Sequence, residues 1–142
     1  MAFDLTRFHG IFPAALTMFD ANGNLDEAAT AEHWQWLIDE GADGLVVCGT
    51  SGEFIALQPD EQRRLYALAV QTAKGRVPVV AGTGHYTTQL TIEQTRAARD
   101  VGADAAIVIL PYYQGTSGNS AKNDGEERNQ APGKKVLIEF AA

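Results

Sequence analysis

The chain has 142 residues, 45% of them hydrophobic and 20% charged, a composition that excludes a disordered or fibrous protein and suits one compact globular unit. A formal net charge of −7 and a pI near 4.8 weigh against nucleic acid and anionic membrane surfaces, both of which select Lys/Arg-rich faces. No window approaches the roughly 18 apolar residues of a membrane span, Met1 to Gly10 carries neither a basic leader nor a long apolar core, and the single cysteine, Cys48, has no intrachain partner, so a reducing, cytoplasmic setting is expected.

In chain order, Gly10 to Thr17 (GIFPAALT) is apolar without helical spacing and ends at the Asp20-Ala-Asn-Gly23 turn signal, which predicts a strand weakened by Pro13. Asp26 then caps a helix through Ala28, Ala31, Trp34, Leu37 and Ile38, spaced along one face and stopped at Gly41. Gly44 to Val47 is a short continuous apolar run, the pattern of a buried parallel strand. A second helix is predicted from Pro59 through Leu65, Leu68, Ala69 and Thr72 to Lys74, with Gly75 after it. Val77 to Ala81 reads as a third strand, a helix capped by Thr88 or Thr91 runs to Val101, and Ala105 to Leu110 reads as a fourth strand ending at Pro111-Tyr112-Tyr113.

Strands alternating with helices at this spacing give parallel βαβ units, an α/β fold. The triplet Gly41-Ala-Asp43 recurs as Gly102-Ala-Asp104, predicting equivalent helix-to-strand corners. An eight-unit barrel takes about 250 residues, or about 31 per unit, so residues 1–113 with four units match the first half of a TIM (β/α)8 barrel. An open doubly wound sheet is the structural alternative. Residues 114–142 break the rhythm: they are polar, rich in Gly, Ser and Asn, and expected to be disordered, apart from a candidate short strand at Lys135 to Phe140. Charges cancel in that tail, leaving the whole −7 to residues 1–113.

Gly49-Thr-Ser-Gly-Glu53 follows a strand directly, and strand carboxyl ends are where parallel β/α folds build their sites. Glu53 replaces the last glycine of a G-x-S-x-G elbow, which removes a serine hydrolase. The segment divides evenly between a structural turn and a turn whose N–H groups converge on a carboxylate. Gly82-Thr-Gly84 lacks the further glycine of a dinucleotide fingerprint and the Gly-Lys of a phosphate loop, and reads as a plain loop. His9, His33 and His85 stand apart without partners at ligand spacing, so no metal and no cofactor is expected. Trp34 and Trp36 cannot share a helix face; one belongs to the core and one to the surface. Cys48 is read as packing beside a strand end. Tyr112 and Tyr113 are candidates for interface packing or for a phenol that moves a proton.

Gly10-Ile-Phe-Pro-Ala-Ala-Leu-Thr17, Gly41-Ala-Asp-Gly44, Gly49-Thr-Ser-Gly-Glu53, Pro78-Val-Val-Ala-Gly-Thr-Gly84 and Pro111-Tyr-Tyr113, in this order and spacing, resemble the dihydrodipicolinate synthase and N-acetylneuraminate lyase family of pyruvate-dependent class I aldolases over about residues 8–113. Met18, where many members have proline, and Ser51, often threonine, are minor departures. The resemblance implies a sixth-strand lysine that forms a Schiff base with pyruvate or another 2-keto acid, making or breaking a C–C bond. It implies that Thr50 and Ser51 bind the keto-acid carboxylate and that Thr50 and Tyr113 belong to a hydroxyl proton relay, the tyrosine in some members reaching a neighbour's site. The fifth-strand tyrosine and sixth-strand lysine motifs have no counterpart here. The lysines are Lys74, Lys122, Lys134 and Lys135, none at a buried strand end, so no Schiff-base lysine is assigned.

The expectation is therefore a truncated or shortened lyase-family member, inactive alone. The alternative is a non-catalytic half-barrel module that self-associates or binds a keto acid. Two open sheet edges and an uncovered interior predict a homo-oligomer or a poorly soluble chain.

Overall fold

The computed structural model describes residues 5–109 and 135–140, which include one 3-10 turn (Leu5–Arg7), three helices and four strands. The strands are β1 (Leu45–Val47), β2 (Val79–Gly82), β3 (Ala105–Ile109) and β4 (Lys135–Glu139), and the helices α1 (Glu27–Asp39), α2 (Pro59–Ala73) and α3 (Thr88–Asp100). They form one sheet in the order β1-β2-β3-β4. The first three strands are parallel, with Val46 opposite Val80 and Val80 opposite Ala105. Strand order follows chain order, with no reversal among the described strands. The helices pack in sequence, α1 on α2 and α2 on α3, with α2 against β1 and β2 and α3 against β3.

Each helix starts where its sequence supplies a cap. The Asp26 carboxylate accepts the Ala29 N–H (2.9 Å), and Gln58 and Glu61 form a capping box around Pro59 at the start of α2. For α3 the cap is Thr87, whose hydroxyl accepts from Leu90; Thr88 is already helical, and Thr91 turns its hydroxyl back to the Thr87 carbonyl. The α1 stripe is also shifted from its expected position. Ala28 is exposed and Thr30 is buried, because the Thr30 hydroxyl donates to the Asp26 carbonyl (2.6 Å) and accepts from the Met18 N–H (2.9 Å).

The two Gly-Ala-Asp triplets make matching corners. Gly41 (φ 98°) and Gly102 (φ 91°) both end their helices in the left-handed region that favours glycine. Ala42 then donates to Leu37 and Ala103 to Ala98, and both aspartates close back on the preceding segment. The Asp43 carboxylate accepts the Ile11 N–H (2.7 Å), and the Asp104 carboxylate accepts the Val79 N–H (2.9 Å). Each triplet thus sets the height of one chain segment against the next.

The Gly10 to Thr17 segment is extended but forms only one parallel bridge, Ala14 to Val46, flanked by hydrogen bonds from Ala15 to Val46 and from Val46 to Pro13. Pro13 has no N–H to add a further rung. Val77 and Pro78 likewise stay outside β2, Pro78 serving only as the acceptor for Leu45. On the far side, β4 lies antiparallel to β3, Leu137 opposite Ile107. A parallel neighbour needs a crossover, usually helical, and residues 114–134 lack the apolar stripe to pack one. The candidate strand in the tail therefore exists, and β4 covers the edge of β3 that was expected to be open. Residues 110–134 lie outside the described residues, and with them the end of the predicted fourth strand and the expected disorder of the tail.

The core lies between sheet and helices and is built on Trp34, Tyr66, Leu45, Leu65, Val47 and Val79, all at most 2% exposed. Trp34 donates from its indole to the Leu16 carbonyl (2.8 Å), while Trp36 is 55% exposed and stacks with His33. Phe140, just past β4, packs against the same core.

Candidate functional site at the strand carboxyl ends

β1 ends at Cys48, which turns into the left-handed region (φ 52°) and starts the loop that carries Thr50 and Ser51. Glu53 takes a second left-handed conformation (φ 55°), and its N–H donates to the Thr50 carbonyl (3.1 Å). Between these two bends the Thr50, Ser51 and Gly52 amides donate to no backbone carbonyl among the described residues. Thr17 braces the loop from outside: its buried hydroxyl donates to the Gly52 carbonyl (2.8 Å). Gly52 itself lies so close to that segment that a Cβ would sit 3.0 Å from the Ala15 carbonyl oxygen.

The adjoining strand ends come equally close. A Cβ on Gly82 would run into the Cys48 carbonyl, 2.7 Å from its carbon, and one on Gly84 would lie 2.7 Å from the Ile109 nitrogen. The Tyr66 hydroxyl, buried on α2, donates to the Gly82 carbonyl (2.8 Å) and fixes that end from behind. Gly82-Thr-Gly84 is therefore a close-approach loop, with Thr83 fully buried and hydroxyl-paired to Thr95 at 2.8 Å.

These elements enclose a small cavity of about 90 Å³, lined on one side by Cys48 to Ser51 and Phe54 and on the other by Gly82, Gly84, Ile107 and Ile109, with Ala14 and Val46 at its floor. Its walls are mostly apolar. Thr50 and Ser51 bring the hydroxyls, both residues being exposed at its rim. The structure thus brings Thr50 and Ser51 together at one cavity; Tyr112 and Tyr113 lie outside the described residues.

Two ionisable groups beneath the cavity are silenced by burial. Burial pushes the Cys48 thiol far up, beyond any useful thiolate population, which suits a packing residue rather than a nucleophile. Burial, with the neighbouring cysteine, also raises the Tyr66 phenol well above its ordinary value. The three histidines remain apart, and among the described residues no cluster of three or more His, Cys, Asp or Glu side chains could hold a metal ion. No helix among the described residues is long and apolar enough to cross a membrane. Lys74, the one lysine with a described side chain, is exposed at the left-handed cap ending α2 (φ 50°), next to the amino end of β2 and thus at the opposite end of the sheet from the cavity.

A buried amide network behind the loop was not visible in the sequence. The Gln62 amide nitrogen donates to the Phe54 carbonyl (2.9 Å), and that of Gln94 donates to both Pro59 (2.9 Å) and Gln62 (2.8 Å). Arg63 then donates to the Gln94 oxygen (2.8 Å). Glutamines on an amphipathic helix look like surface residues, and only their mutual pairing permits burial.

Residues 7–123 match the model of the dihydrodipicolinate synthetase family. The chain belongs to that family. A 4-hydroxy-tetrahydrodipicolinate synthase of Agrobacterium fabrum is 46% identical over 106 residues, covering 75% of this chain and 36% of the relative. The corresponding enzyme of Bradyrhizobium diazoefficiens is 41% identical over 133 residues, 94% of this chain and 45% of the relative. Among solved structures, YagE, a prophage protein of the dihydrodipicolinic acid synthase family from E. coli K12 in complex with pyruvate, superposes with a TM-score of 0.74 at 41% identity, over 78% of this chain and 37% of that one. A chloride-inhibited dihydrodipicolinate synthase from Acinetobacter baumannii, complexed with pyruvate, gives a TM-score of 0.71 at 36% identity, over 73% of this chain and 36% of its own. The chain spans less than half the length of these family members.

Proposed function

We propose that this chain is the first half of a β/α barrel that supplies the carboxylate-binding part of a keto-acid lyase site without its nucleophile. The single observation that carries this reading is the loop after β1, where Thr50 and Ser51, whose backbone amides meet no backbone acceptor among the described residues, stand at the rim of an apolar cavity at the strand carboxyl ends. Converging N–H groups and hydroxyls suit a small carboxylate, and the apolar wall suits the methyl-keto end of pyruvate, which the two family structures above hold. Tyr113, four residues beyond Ile109, the last cavity-lining strand residue that is described, would join Thr50 in passing a proton to a forming alkoxide. The missing function is the amine: none of the four lysines, Lys74, Lys122, Lys134 and Lys135, stands in a counterpart of the sixth-strand lysine motif. On this reading the chain binds pyruvate or a related 2-keto acid and does not turn it over.

The test is an amide-resolved NMR titration with pyruvate, paired with cyanoborohydride trapping read by intact mass. Saturable shifts at Gly49 to Gly52, lost in Thr50→Val/Ser51→Ala, and no trapped adduct are expected. Unmoved amides on a folded sample would remove the binding claim. A pyruvate adduct on any lysine would remove the claim that the nucleophile is missing.

A further inference from the structure

Among the described residues β4 is the outermost strand of the sheet, and its backbone has a definite inward and outward set. The Thr83 N–H donates to Ile107, so Ile107 directs its backbone toward β2, and its alternate neighbours Ala106 and Val108 direct theirs toward β4. Their partners are Ile138 and Val136, and Phe140 donates to Asp104 in the same phase. Val136, Ile138 and Phe140 therefore spend their N–H and C=O groups on β3. Lys135, Leu137 and Glu139 present theirs to the outside.

The outward set reads Lys-x-Leu-x-Glu, which is complementary to itself in reverse. An antiparallel copy centred on Leu137 places Lys135 opposite the copy's Glu139, Leu137 opposite its own counterpart, and Glu139 opposite the copy's Lys135. Every one of these is a hydrogen-bonded pair, because each uses a residue whose backbone already faces outward. Opposite charges directly across a strand pair attract, and like charges repel. Edge lysines ordinarily discourage such pairing. Here a parallel in-register copy meets that barrier, Lys beside Lys and Glu beside Glu, whereas the antiparallel one does not. The other flank of the sheet offers no equivalent, since its outer segment contains Pro13 and holds only one bridge.

We propose that β4 is a dimerisation edge whose partner is a second copy of this chain, the two sheets joining across a twofold axis at Leu137 into one continuous sheet. Such an interface is isologous and closes on itself, consuming the edge in both copies.

Sedimentation equilibrium of the full chain at low salt tests this with two charge variants. The wild type is expected as a dimer that weakens as salt rises. Glu139→Lys alone, carrying two basic ends, and Lys135→Glu alone, carrying two acidic ends, are each expected to dimerise at least about tenfold more weakly, from two repelling cross-strand pairs. An equimolar mixture of the two variants restores dimers, since each basic end then meets an acidic one. Circular dichroism on both variants confirms that the fold persists. If either variant fails to fold, Lys135→Gln/Glu139→Gln replaces the pair and is expected to lose the salt dependence. A monomeric wild type overturns the proposal. So does an oligomer whose mass is the same in the single variants and which shows no preference for mixed dimers, or one whose salt dependence persists in the neutral pair.

Discussion

Gln94→Leu removes the hub of the buried amide network while nearly conserving side-chain volume. Gln94 is fully buried and makes three hydrogen bonds, two donated to Pro59 and Gln62 and one accepted from Arg63. Arg63 is 46% exposed at its side chain and recovers a bond to water. The Pro59 carbonyl and the Gln62 amide oxygen lose a partner in a site built without room for one. Each such loss costs about 1–3 kcal/mol, partly offset by the added apolar burial of leucine, so a net destabilisation of about 3 kcal/mol is expected. With a urea m-value of about 2 kcal/mol/M for a chain of this size, the midpoint falls by about 1.5 M. Gln89→Leu makes the same chemical change on the exposed side of the same helix, where Gln89 pairs only with Glu93, and is expected to stay within about 0.5 kcal/mol. Because Gln62 also holds the Phe54 carbonyl, hydrogen exchange of the loop from Cys48 to Leu57 should speed up in Gln94→Leu and not in Gln89→Leu. Equal midpoints for the two variants would refute the network as a support of the fold, and unchanged loop exchange would refute its tie to the site.

A methyl at Gly82 has no space against the Cys48 carbonyl, so Gly82→Ala must part β1 from β2 at their carboxyl ends; a loss of about 3 kcal/mol or more is expected by urea denaturation, and a midpoint within error of wild type would contradict the close approach. The Cys48 thiol should resist thiol reagents at neutral pH until urea unfolds the chain, and rapid labelling of the native protein would contradict its burial. Its raised native value also gives a pH dependence: the native state holds the proton when the unfolded state releases it, so this contribution is intact below the free thiol's 9.0 and stability declines as the pH rises above it. Cys48→Ala should flatten that decline between pH 8 and 10, and an unchanged slope would assign it elsewhere.

The elements were legible in the sequence wherever one residue carries the local physics. Asp26, Pro59, Gly41 and Gly102 each set a helix end that their own chemistry dictates. The Gly-Ala-Asp repeat announced matching corners, although not that both aspartates would grip the preceding segment by its N–H. Legibility failed where the outcome depended on a partner far along the chain. Thr30 is buried because Met18 arrives to use its hydroxyl, and Gln62 and Gln94 because they meet each other. The direction of β4 was equally hidden, since a run of five residues carries no sign of whether its neighbour runs with it or against it.

The site divides along the same line. Gly49 to Glu53 could be placed at a strand end from sequence, and chemistry at strand ends narrows what its hydroxyls face. The two left-handed bends, at Cys48 and Glu53, could not be read from sequence; they turn the loop and leave the Thr50, Ser51 and Gly52 amides without backbone acceptors among the described residues, which favours the anion-binding turn of the proposed function over a bare one. Non-glycine residues reach that region at a steric cost, and two within six residues require a surrounding structure that holds them there. The glycines at 52, 82 and 84 are what let it do so, by admitting backbone where a side chain would stand, and Thr17 and Tyr66 fasten the approach with buried hydroxyls. Two left-handed residues and the buried Thr17 and Gln62 hydrogen bonds therefore meet at one loop. Lys74 lies at the other end of the same sheet, beside the beginning of β2 and away from Thr50 and Ser51. On the proposed function, a loop held by this much support and set at the opposite end of the sheet from the amine whose side chain is described is what binding without turnover requires.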